Sequence, residues 1–321
     1  MGVPEHHGIS EHRCHVMGTD AHIVVHGGDR SMLDRAVERL VSLEARWSRF
    51  RPESELSRLN AEAATAVVVS SDTARLVATA VAAWSLTGGR FDPTTGPALI
   101  AAGYDRSFEL LPVTVATGIG AAVAPIGAHP APGCAGVVVA ADVGVVHLPV
   151  GVTVDPGGIG KGLAADLVAG ELLESGATGV LVSLGGDLRA AGVAPGGAWD
   201  VQLDHGTGES GRVGVVEGAV ATSSVLRRRW GSPTGPAHHV IDPRTGKPTT
   251  GAAVACSVIA GEAWWAEALA TAVLVAFEEQ DGVRTAETLL GSDAAAIVTT
   301  ADGATMTLGS HAIVDSMEVA A

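Results

Sequence analysis

One short stretch, residues 155–162, limits what this chain can fold into more than any other. It reads Asp-Pro-Gly-Gly-Ile-Gly-Lys-Gly, and its glycines and proline exclude a regular strand or a helix interior. Apolar residues at helical spacing follow at 163–174, so we expect a tight turn that opens a helix. Bare backbone and the free N–H groups of a helix N-terminus favour an anion, and Lys161 adds a positive charge. The stretch therefore predicts a phosphate-binding turn or, as the alternative, a glycine-rich connection without a ligand.

Neither common nucleotide-binding loop fits this stretch. A Walker A loop has a glycine five residues before its Gly-Lys pair and a Ser or Thr after the lysine, but these positions hold Asp155 and Gly162. The spacing of Gly158, Gly160 and Gly162 also differs from G-x-G-x-x-G. The sequence thus argues against both a P-loop nucleotidase and a Rossmann dinucleotide-binding protein.

The composition indicates a globular protein that does not bind nucleic acid. The 321 residues are 47% hydrophobic and 17% charged, which suffices for a large core in one big or two modest domains. The formal net charge of −15 argues against nucleic acid, since phosphate backbones need a basic face. The three cysteines lie far apart without a C-x-x-C pair, so we expect neither a disulfide framework nor a zinc site.

The ends of the chain are predicted to be tails. Residues 1–14 contain histidines and acids but no apolar run like that of a signal peptide, and no apolar stretch reaches membrane-spanning length. We therefore expect a soluble, cytoplasmic protein without a membrane segment. Residues 1–13 are predicted to be a flexible tail, 14–311 a single domain of one or two subdomains, and 312–321 a second tail.

Helical and strand-like periodicities alternate irregularly, which favours an α+β fold with a mainly antiparallel sheet over a doubly wound parallel one. We predict loops at 48–60 and 91–97, a variable Pro/Gly/Ala-rich excursion at 112–132, and Ser31 as the cap of the first helix. Helices are predicted at 31–47, 72–86, 163–174, 264–277 and 283–290. Strands are predicted at 16–26, 179–184, 199–203, 213–221, 252–260, 295–299 and 306–308, with two short strands between 137 and 154.

Seven short segments occur in a fixed order along the chain. They are 17–19 (Met-Gly-Thr), 54–60 (Ser-Glu-Leu-Ser-Arg-Leu-Asn), 89–94 (Gly-Arg-Phe-Asp-Pro-Thr), 155–162 with Asp166, 185–187 (Gly-Gly-Asp), 239–246 and 267–271 (Glu-Ala-Leu-Ala-Thr). In this order and with these gaps, the chain resembles the ApbE family of FAD:protein FMN transferases over nearly its whole length. The resemblance implies an ApbE-like, T-fold-like architecture in which the 14–311 domain binds FAD.

The resemblance also implies an activity. The family uses Mg²⁺ to transfer FMN from FAD to a Thr or Ser hydroxyl of an acceptor protein, forming a phosphoester bond and releasing AMP. Such chemistry needs a cation to neutralise developing charge, fixed donors on the phosphates and a base near the attacking hydroxyl. Two other functions stay open: an FAD pyrophosphatase that yields FMN and AMP, and an FAD-binding protein without catalysis.

Position by position, the resemblance assigns contacts to FAD and one metal ligand. Asp155 and Lys161 match residues that contact FAD, and the backbone carbonyl of Gly158 matches a Mg²⁺ ligand. Phe50 stands where the family often has tyrosine, so that stacking is kept while a hydroxyl contact is lost. The residues that match contacts to the flavin or the adenine are Met17, Phe50, Arg90, Phe91 and Asp92.

The resemblance assigns two further Mg²⁺ ligands, Glu267 and Thr271, which lie one helical turn apart on one face. Glu267 stands where the family usually has aspartate, and Mg²⁺ tolerates geometric error poorly. Three consequences stay open: a helix that sits slightly back, a weaker metal site, or an activity that has drifted from transfer to FAD hydrolysis. A buried acid paired with an arginine is the alternative for Glu267.

His239 matches the catalytic base proposed for the family, and the ordinary pKa of histidine suits a base that works near neutral pH. The adjacent His238 points to the opposite face if both lie in a strand, and the His-x-x-Asp-Pro spacing selects His239. The sequence leaves two roles open for Asp242: it caps the turn that ends at Gly246, or it is a ligand.

Overall fold

An eight-stranded sheet forms the centre of the protein. The computed structural model describes residues 8–111, 128–205, 210–232, 235–310 and 313, so the excursion predicted at 112–132 and the tail predicted at 312–321 lie largely outside the described residues. In order across the sheet, the strands are β1 (Ile9–Val16), β2 (Thr19–His26), β6 (Gly179–Leu184), β7 (Asp187–Gly192), β10 (Gly218–Ser224), β15 (Ala253–Ala260), β16 (Ala295–Thr300) and β17 (Thr305–Gly309). Every neighbouring pair is antiparallel, which confirms the predicted α+β fold.

The other strands form small satellite sheets. They are β3 (Ala66–Val68), β4 (Val138–Ala140), β5 (Val145–His147), β8 (Trp199–Asp204), β9 (Ser210–Val215), β11 (Arg229–Ser232), β12 (Gly235–His238), β13 (Ile241–Asp242) and β14 (Lys247–Pro248). β3, β5 and β4 form a three-stranded sheet, and β8–β9, β11–β12 and β13–β14 are two-stranded. The β8–β9 pair covers one face of the main sheet, where Trp199, Val201 and Val213 pack against Leu188 and Val220.

Three long helices cover the opposite face of the main sheet. The helices are α1 (Arg30–Trp47), α2 (Glu55–Ala61), α3 (Ser71–Leu86), α4 (Gly96–Ala101), α5 (Gly160–Glu174), α6 (Ala263–Ala276) and α7 (Gly282–Leu290), with a 3-10 turn at Phe108–Leu110. α5 packs on β6 and β7, α6 packs on β10 and β15, and α1 packs beside α5. Because α5 and α6 contact the sheet and each other, most of their residues are buried. None of these helices, within the described ranges, is long and apolar enough to span a membrane.

A glycine in the first turn of α5 lets α5 and α6 approach closely. A Cβ at Gly162 would lie 2.3 Å from the carbonyl oxygen of Ala263, so a larger residue would force the backbones apart. At the same crossing, the two carboxylate oxygens of Asp166 accept hydrogen bonds from the N–H groups of Ala263 and Trp264, at 2.9 Å each. Asp166 therefore caps α6 from a neighbouring helix, and burial raises its pKa to about 6.

Two predictions near the N-terminus need correction. The flexible tail predicted at 1–13 is wrong for residues 9–13, which belong to β1 and pair with β2 in regular register. The strand predicted at 16–26 is interrupted by a two-residue turn at Met17 and Gly18, where both φ angles are positive. The alternation of apolar and polar residues continues through this hairpin, so the turn was not visible in the sequence. β1 was missed because it is an edge strand whose residues are mostly polar and contribute little to the core.

Three local features differ from the sequence prediction. Asp29, rather than Ser31, caps α1, because its side chain accepts a hydrogen bond from the Met32 N–H. The loop predicted at 48–60 contains the short helix α2, which is capped by Ser54. β7 was not predicted, since it follows a glycine turn directly and has no β-branched residue.

Candidate functional site

A cleft opens at one end of the main sheet, where several strand ends meet the N-terminus of α5. Its cavity measures about 280 Å³. The turn between β1 and β2, the start of β7, the end of β10 and the start of α5 all line it. Every site residue predicted from the sequence lies on this cleft, although the residues come from distant parts of the chain.

The glycine-rich turn before α5 is anchored by Asp155. Its Oδ1 accepts a hydrogen bond from the Gly157 N–H at 2.8 Å. Its Oδ2 lies 3.0 Å from Arg49 Nε, an ion pair whose angle does not suit a hydrogen bond. The Asp155 N–H donates to the Pro93 carbonyl at 2.7 Å, which ties the turn to the 91–97 loop. The observed contacts of Asp155 thus shape the turn, and its contact with FAD stays a prediction.

The 54–60 segment supports this turn from outside the cleft. Asn60 pairs its side-chain amide with the backbone of Val154, donating at 2.9 Å and accepting at 2.8 Å. Glu55 Oε2 accepts from the N–H and the hydroxyl of Ser70, at 3.0 and 2.6 Å, and so fixes the N-terminus of α3. Asn60 therefore holds the residue that directly precedes the turn. No residue of this fully described segment lines the cleft.

Lys161 lies between two buried carboxylates at the base of the cleft. Its ammonium group donates to Asp187 Oδ2 and to Glu267 Oε1. Glu267 Oε2 also accepts from the Gly162 N–H at 2.8 Å, and Asp187 Oδ1 accepts from the Thr222 N–H at 3.0 Å. Burial alone would favour neutral lysine, but attraction to Asp187 and Glu267 raises the pKa of Lys161, while burial raises the pKa of Glu267. Glu267 is therefore paired with a lysine rather than with an arginine.

Asp187 belongs to the site but is missing from the residues predicted for it. The 185–187 segment did signal it, since Gly185 and Gly186 place the first residue of β7 at the cleft. Without the structure, nothing in the sequence shows that its carboxylate meets Lys161.

Oxygen atoms suited to a hard cation lie beside Glu267. Thr271 Oγ1 is 3.1 Å from Ser223 Oγ, and a Cβ built on Gly158 would lie 3.6 Å from Thr271 Oγ1. Each carboxylate oxygen of Glu267 has one hydrogen-bond donor, which leaves lone pairs available. Mg²⁺ prefers such oxygens, so the donor set fits it. The described ranges hold no cluster of three His, Cys, Asp or Glu side chains suited to a metal, so this site depends on hydroxyl and carbonyl oxygens as well.

Phe91 and Asp92 are buried beneath the glycine turn. Phe91 is only 3% exposed, and a Cβ on Gly158 would lie 3.1 Å from its ring. Asp92 Oδ1 accepts from the N–H and the hydroxyl of Thr94, at 2.8 and 2.6 Å, and burial raises its pKa. Phe91 thus packs against the turn, whereas Asp92 shapes its own loop through Thr94. The direct contact of either side chain with FAD stays a prediction.

An ion-pair network joins Arg90 to the turn that follows His239. Arg90 forms two hydrogen bonds with Glu279, at 2.9 and 3.0 Å, and Arg244 lies 3.0 Å from the same carboxylate. Asp242 Oδ1 accepts from the backbone N–H of Arg244 at 3.0 Å, and its two oxygens also bind the guanidinium. Asp242 therefore caps its turn, which is one of the two roles predicted for it.

Aromatic side chains and an arginine form a wall of the cleft that the sequence did not reveal as a unit. The rings of Phe50 and Tyr104 lie 5.8 Å apart between centroids, and Tyr104 lies 5.1 Å from Trp230. Arg49 stands over Phe50 and Tyr104, at 4.2 and 4.6 Å from their centroids. Phe50 is 36% exposed, so part of its ring can stack on a planar ligand. In the sequence, the position of Arg49 next to Phe50 was the only sign of this wall.

Met17 adopts a left-handed backbone conformation at the rim of the cleft, with φ of 56°. This conformation costs a non-glycine residue about 1 kcal/mol. The hairpin turn imposes it, because Gly18 has the matching φ of 63°. The Met17 side chain packs partly against the main core and partly lines the cleft.

His239 and its neighbour His238 differ in their surroundings. His238 is buried, and its Nε2 lies 3.2 Å from the Thr249 carbonyl, while His239 lines the cleft. Nδ1 of His239 has no hydrogen-bond partner in the described part of the chain. Burial, Arg228, His238 and Lys161 lower the pKa of His239 well below its usual range, so the ring is neutral at pH 7. A neutral imidazole with an unpaired nitrogen can accept a proton.

Comparisons with known proteins identify a family and related folds. The sequence pattern of the ApbE family matches residues 17–297. The fold is similar to the crystal structure of the ApbE protein from Thermotoga maritima MSB8, with 28% identity, a TM-score of 0.78, and coverage of 94% of this chain and 97% of that chain. No significant match is found among curated proteins.

Two more distant structures share the fold. The flavin transferase ApbE from Vibrio cholerae is 22% identical with a TM-score of 0.75, and the match covers 96% of this chain and 98% of that one. The flavinyl transferase ApbE from Pseudomonas stutzeri, in its apo form, is 22% identical with a TM-score of 0.76, and the match covers 98% of each chain. Since the matches span both partners almost completely, the whole architecture is shared.

Proposed function

Because this chain belongs to the ApbE family, we propose that it transfers FMN from FAD to a Thr or Ser hydroxyl of an acceptor protein and releases AMP. Two structures of the same fold are named flavin or flavinyl transferases. The observation that carries the proposal is the cleft, where a glycine turn at a helix N-terminus, a lysine, a neutral histidine and oxygen donors share one cavity.

The start of α5 is the proposed site of the pyrophosphate. The N–H groups of Gly160 and Gly162 already donate to the Pro156 carbonyl and to Glu267. Within the described structure, the N–H groups of Gly158 and Lys161 are left for an anion at this helix N-terminus. The bare backbone at Gly157 and Gly158 allows close approach, and Lys161 supplies a permanent positive charge. The aromatic wall beside Phe50 offers a face for one of the planar rings of FAD.

His239 is the proposed base. The acceptor oxygen forms a bond to the phosphorus of the FMN half, the bond from that phosphorus to the bridging oxygen breaks, and AMP leaves with this oxygen. The hydroxyl proton passes to the neutral ring of His239, whose lowered pKa keeps it unprotonated at neutral pH. Gly158, Glu267 and Thr271 would hold Mg²⁺, which supplies positive charge against the charge developing on the phosphates.

The test of the proposal is a transfer assay with purified protein, FAD, Mg²⁺ and a panel of acceptors that carry a Thr-containing flavinylation motif. We expect a covalent FMN adduct by intact-protein mass, with one AMP released per adduct. Release of FMN and AMP without an adduct would identify an FAD pyrophosphatase instead. FAD that stays bound and intact at high Mg²⁺ would identify a binding protein.

The metal ligands can be tested separately. Thr271→Val should raise the Mg²⁺ concentration for half-maximal transfer and weaken Mg²⁺ binding in calorimetry, whereas Thr271→Ser keeps the hydroxyl and should stay close to wild type. If Thr271→Val leaves the Mg²⁺ dependence unchanged, Thr271 is not a ligand.

A further inference from the structure

β1 lies at the edge of the main sheet and, within the described ranges, pairs only with β2. It is eight residues long, and its register with β2 is regular from end to end. Such an edge is a template for another strand, and proteins commonly shield it with proline, a bulge or a short length. β1 has none of these devices. Its charged residues Glu11 and Arg13 lie 4.0 Å apart and offset each other.

The unpaired backbone groups of β1 belong to alternate residues. In β2, the carbonyls of Asp20 and His26 accept hydrogen bonds from Gly185 and Thr178, which flank β6. These positions of β2 therefore face β6, and the register directs the even-numbered residues of β1 toward β2. The outward N–H and C=O groups belong to Ile9, Glu11, Arg13 and His15, all of which are exposed.

The open edge ends at the cleft. β1 runs directly into the turn at Met17 and Gly18, which lines the cleft. His15 lies 3.5 Å from Glu109, another residue of the cleft wall. Asp187, which binds Lys161, begins β7 at the same end of the sheet. The other edge strand, β17, is fully described and contributes no residue to the cleft.

We propose that the open edge of β1 binds an extended segment of the acceptor protein, which pairs with β1 as a further strand and leads the reacting hydroxyl into the cleft. The inference rests on the proposed FMN transfer and concerns its partner. Main-chain hydrogen bonds along an edge bind extended segments of varied sequence. A β-branched Thr suits such a backbone. The continuity of this edge with the cleft selects the acceptor, rather than a second copy of the chain, as its occupant.

The geometry of the sheet sets the distance that the acceptor segment must cover. From an added strand to β7 there are four steps between strands of about 4.8 Å, or roughly 19 Å. An extended chain covers about 3.3 Å per residue, so the reacting Thr or Ser lies about six residues beyond the paired stretch. A hydroxyl within the paired stretch stays too far from Lys161 and His239 to react.

Proline substitution tests the edge. Arg13→Pro removes an outward N–H and no hydrogen bond between β1 and β2, since proline is tolerated where a strand N–H faces solvent. Thr307→Pro is the matched control, because Thr307 is an exposed outward position of β17. The probe is a peptide of about twenty residues, cut around the labelled residue of an acceptor that the wild-type chain labels.

For Arg13→Pro, we expect the KM of this peptide to rise at least tenfold, while kcat at saturating peptide and the Kd of FAD stay unchanged. Thr307→Pro should leave all three values at their wild-type level. In wild-type protein, the peptide should slow amide hydrogen exchange at Glu11, Arg13 and His15 but not along β17, a measurement that does not depend on how well a variant folds. A peptide whose hydroxyl is moved six residues toward the paired stretch should not be labelled.

The outcomes separate the two proposals. If the wild-type chain labels no acceptor, the proposed function fails and the docking edge fails with it. If it labels an acceptor while Arg13→Pro keeps the wild-type KM and amide exchange at β1 is unchanged by the peptide, the docking edge alone is overturned. A dimer that forms through β1 and blocks the peptide would likewise overturn it.

Discussion

His205 and His239 lie on opposite sides of the main sheet and differ in how their rings are partnered. Both nitrogens of His205 are satisfied, Nδ1 by the Thr299 hydroxyl at 2.7 Å and Nε2 by the Ser257 hydroxyl at 2.8 Å. His239 lines the cleft, and its Nδ1 is buried without a hydrogen-bond partner among the described residues. Burial lowers the pKa of both rings, so both are neutral at pH 7.

A single residue of β10 connects the two sides. Thr222 Oγ1 lies 2.7 Å from Ser257 Oγ on the His205 side, and its N–H donates to Asp187 on the cleft side. On the side of His205, the ring is buried and neutral and its polar groups are satisfied, so we call this the closed side. The cleft side instead holds Lys161 between Asp187 and Glu267. Buried polar groups are normally satisfied, and a satisfied network chiefly stabilises the fold. We therefore expect the chemistry on the side that holds the unpaired nitrogen and the buried charges, although both sides share one strand.

Removal of the Lys161 charge from between Asp187 and Glu267 should destabilise the protein strongly. Lys161→Met leaves the carboxylates of Asp187 and Glu267 buried without a cation, so the free energy of unfolding should fall by about 3–5 kcal/mol in chemical denaturation. Lys247, the other lysine of the chain, is exposed. Lys247→Met should therefore stay within about 0.5 kcal/mol of wild type. Equal losses for the two variants would show that the buried cation contributes no more than a surface one.

The unpaired histidine should matter for rate rather than for stability. His239→Ala removes the proposed base, and kcat for FMN transfer should fall by about 10² to 10⁴, a typical contribution of general base catalysis. The Kd of FAD and the melting temperature should change little. His205→Ala is the control: it should lower the melting temperature and leave kcat and the Kd of FAD close to wild type. A variant of His239 that keeps the wild-type kcat would remove the functional half of the comparison.

The elements that the sequence predicts well have a strong local cause. The glycines at 155–162 and the apolar run after them predicted the turn and α5, and the spacing up to Asp242 selected His239 over His238. The order of the motifs predicted the fold and placed distant residues on one cleft. The polar edge strand β1 lacked such a signal, because it has few core residues and is formed by pairing with β2.

The partners of the motif residues were not predictable, because each partner lies far away in the sequence. Asp166 belongs to the helix after the glycine turn, yet it caps α6 about a hundred positions later. Asn60 belongs to an ApbE-like segment but binds backbone at Val154. Neither contact leaves a periodic pattern or a local motif in the sequence. Only the folded structure therefore shows that Asp166 and Asn60 stabilise the shape of the cleft.

Removal of His205 should have a smaller effect than removal of the Lys161 charge. His205→Leu leaves the hydroxyls of Ser257 and Thr299 each without one partner, and an unsatisfied buried polar group costs about 1–3 kcal/mol. We expect a loss of this size in the free energy of unfolding, with no change in the Kd of FAD. A tenfold weaker FAD affinity would instead show that the network behind the sheet acts on the cleft through Thr222.

The contribution of His205 to the free energy of unfolding should depend weakly on pH. Burial lowers the pKa of His205 below 6.5, against a weak opposing effect of Asp204. Below pH 6.5 the unfolded chain therefore binds a proton that the folded chain does not, and stability falls by at most about 1.4 kcal/mol per pH unit. His205→Leu lacks this proton, so the stability difference between wild type and variant should shrink from pH 7 to pH 5. His238 and His239 titrate in both proteins and cancel in this difference. A difference that stays constant would mean that folding leaves the His205 pKa unshifted, and the closed side would then be as open to water as the cleft.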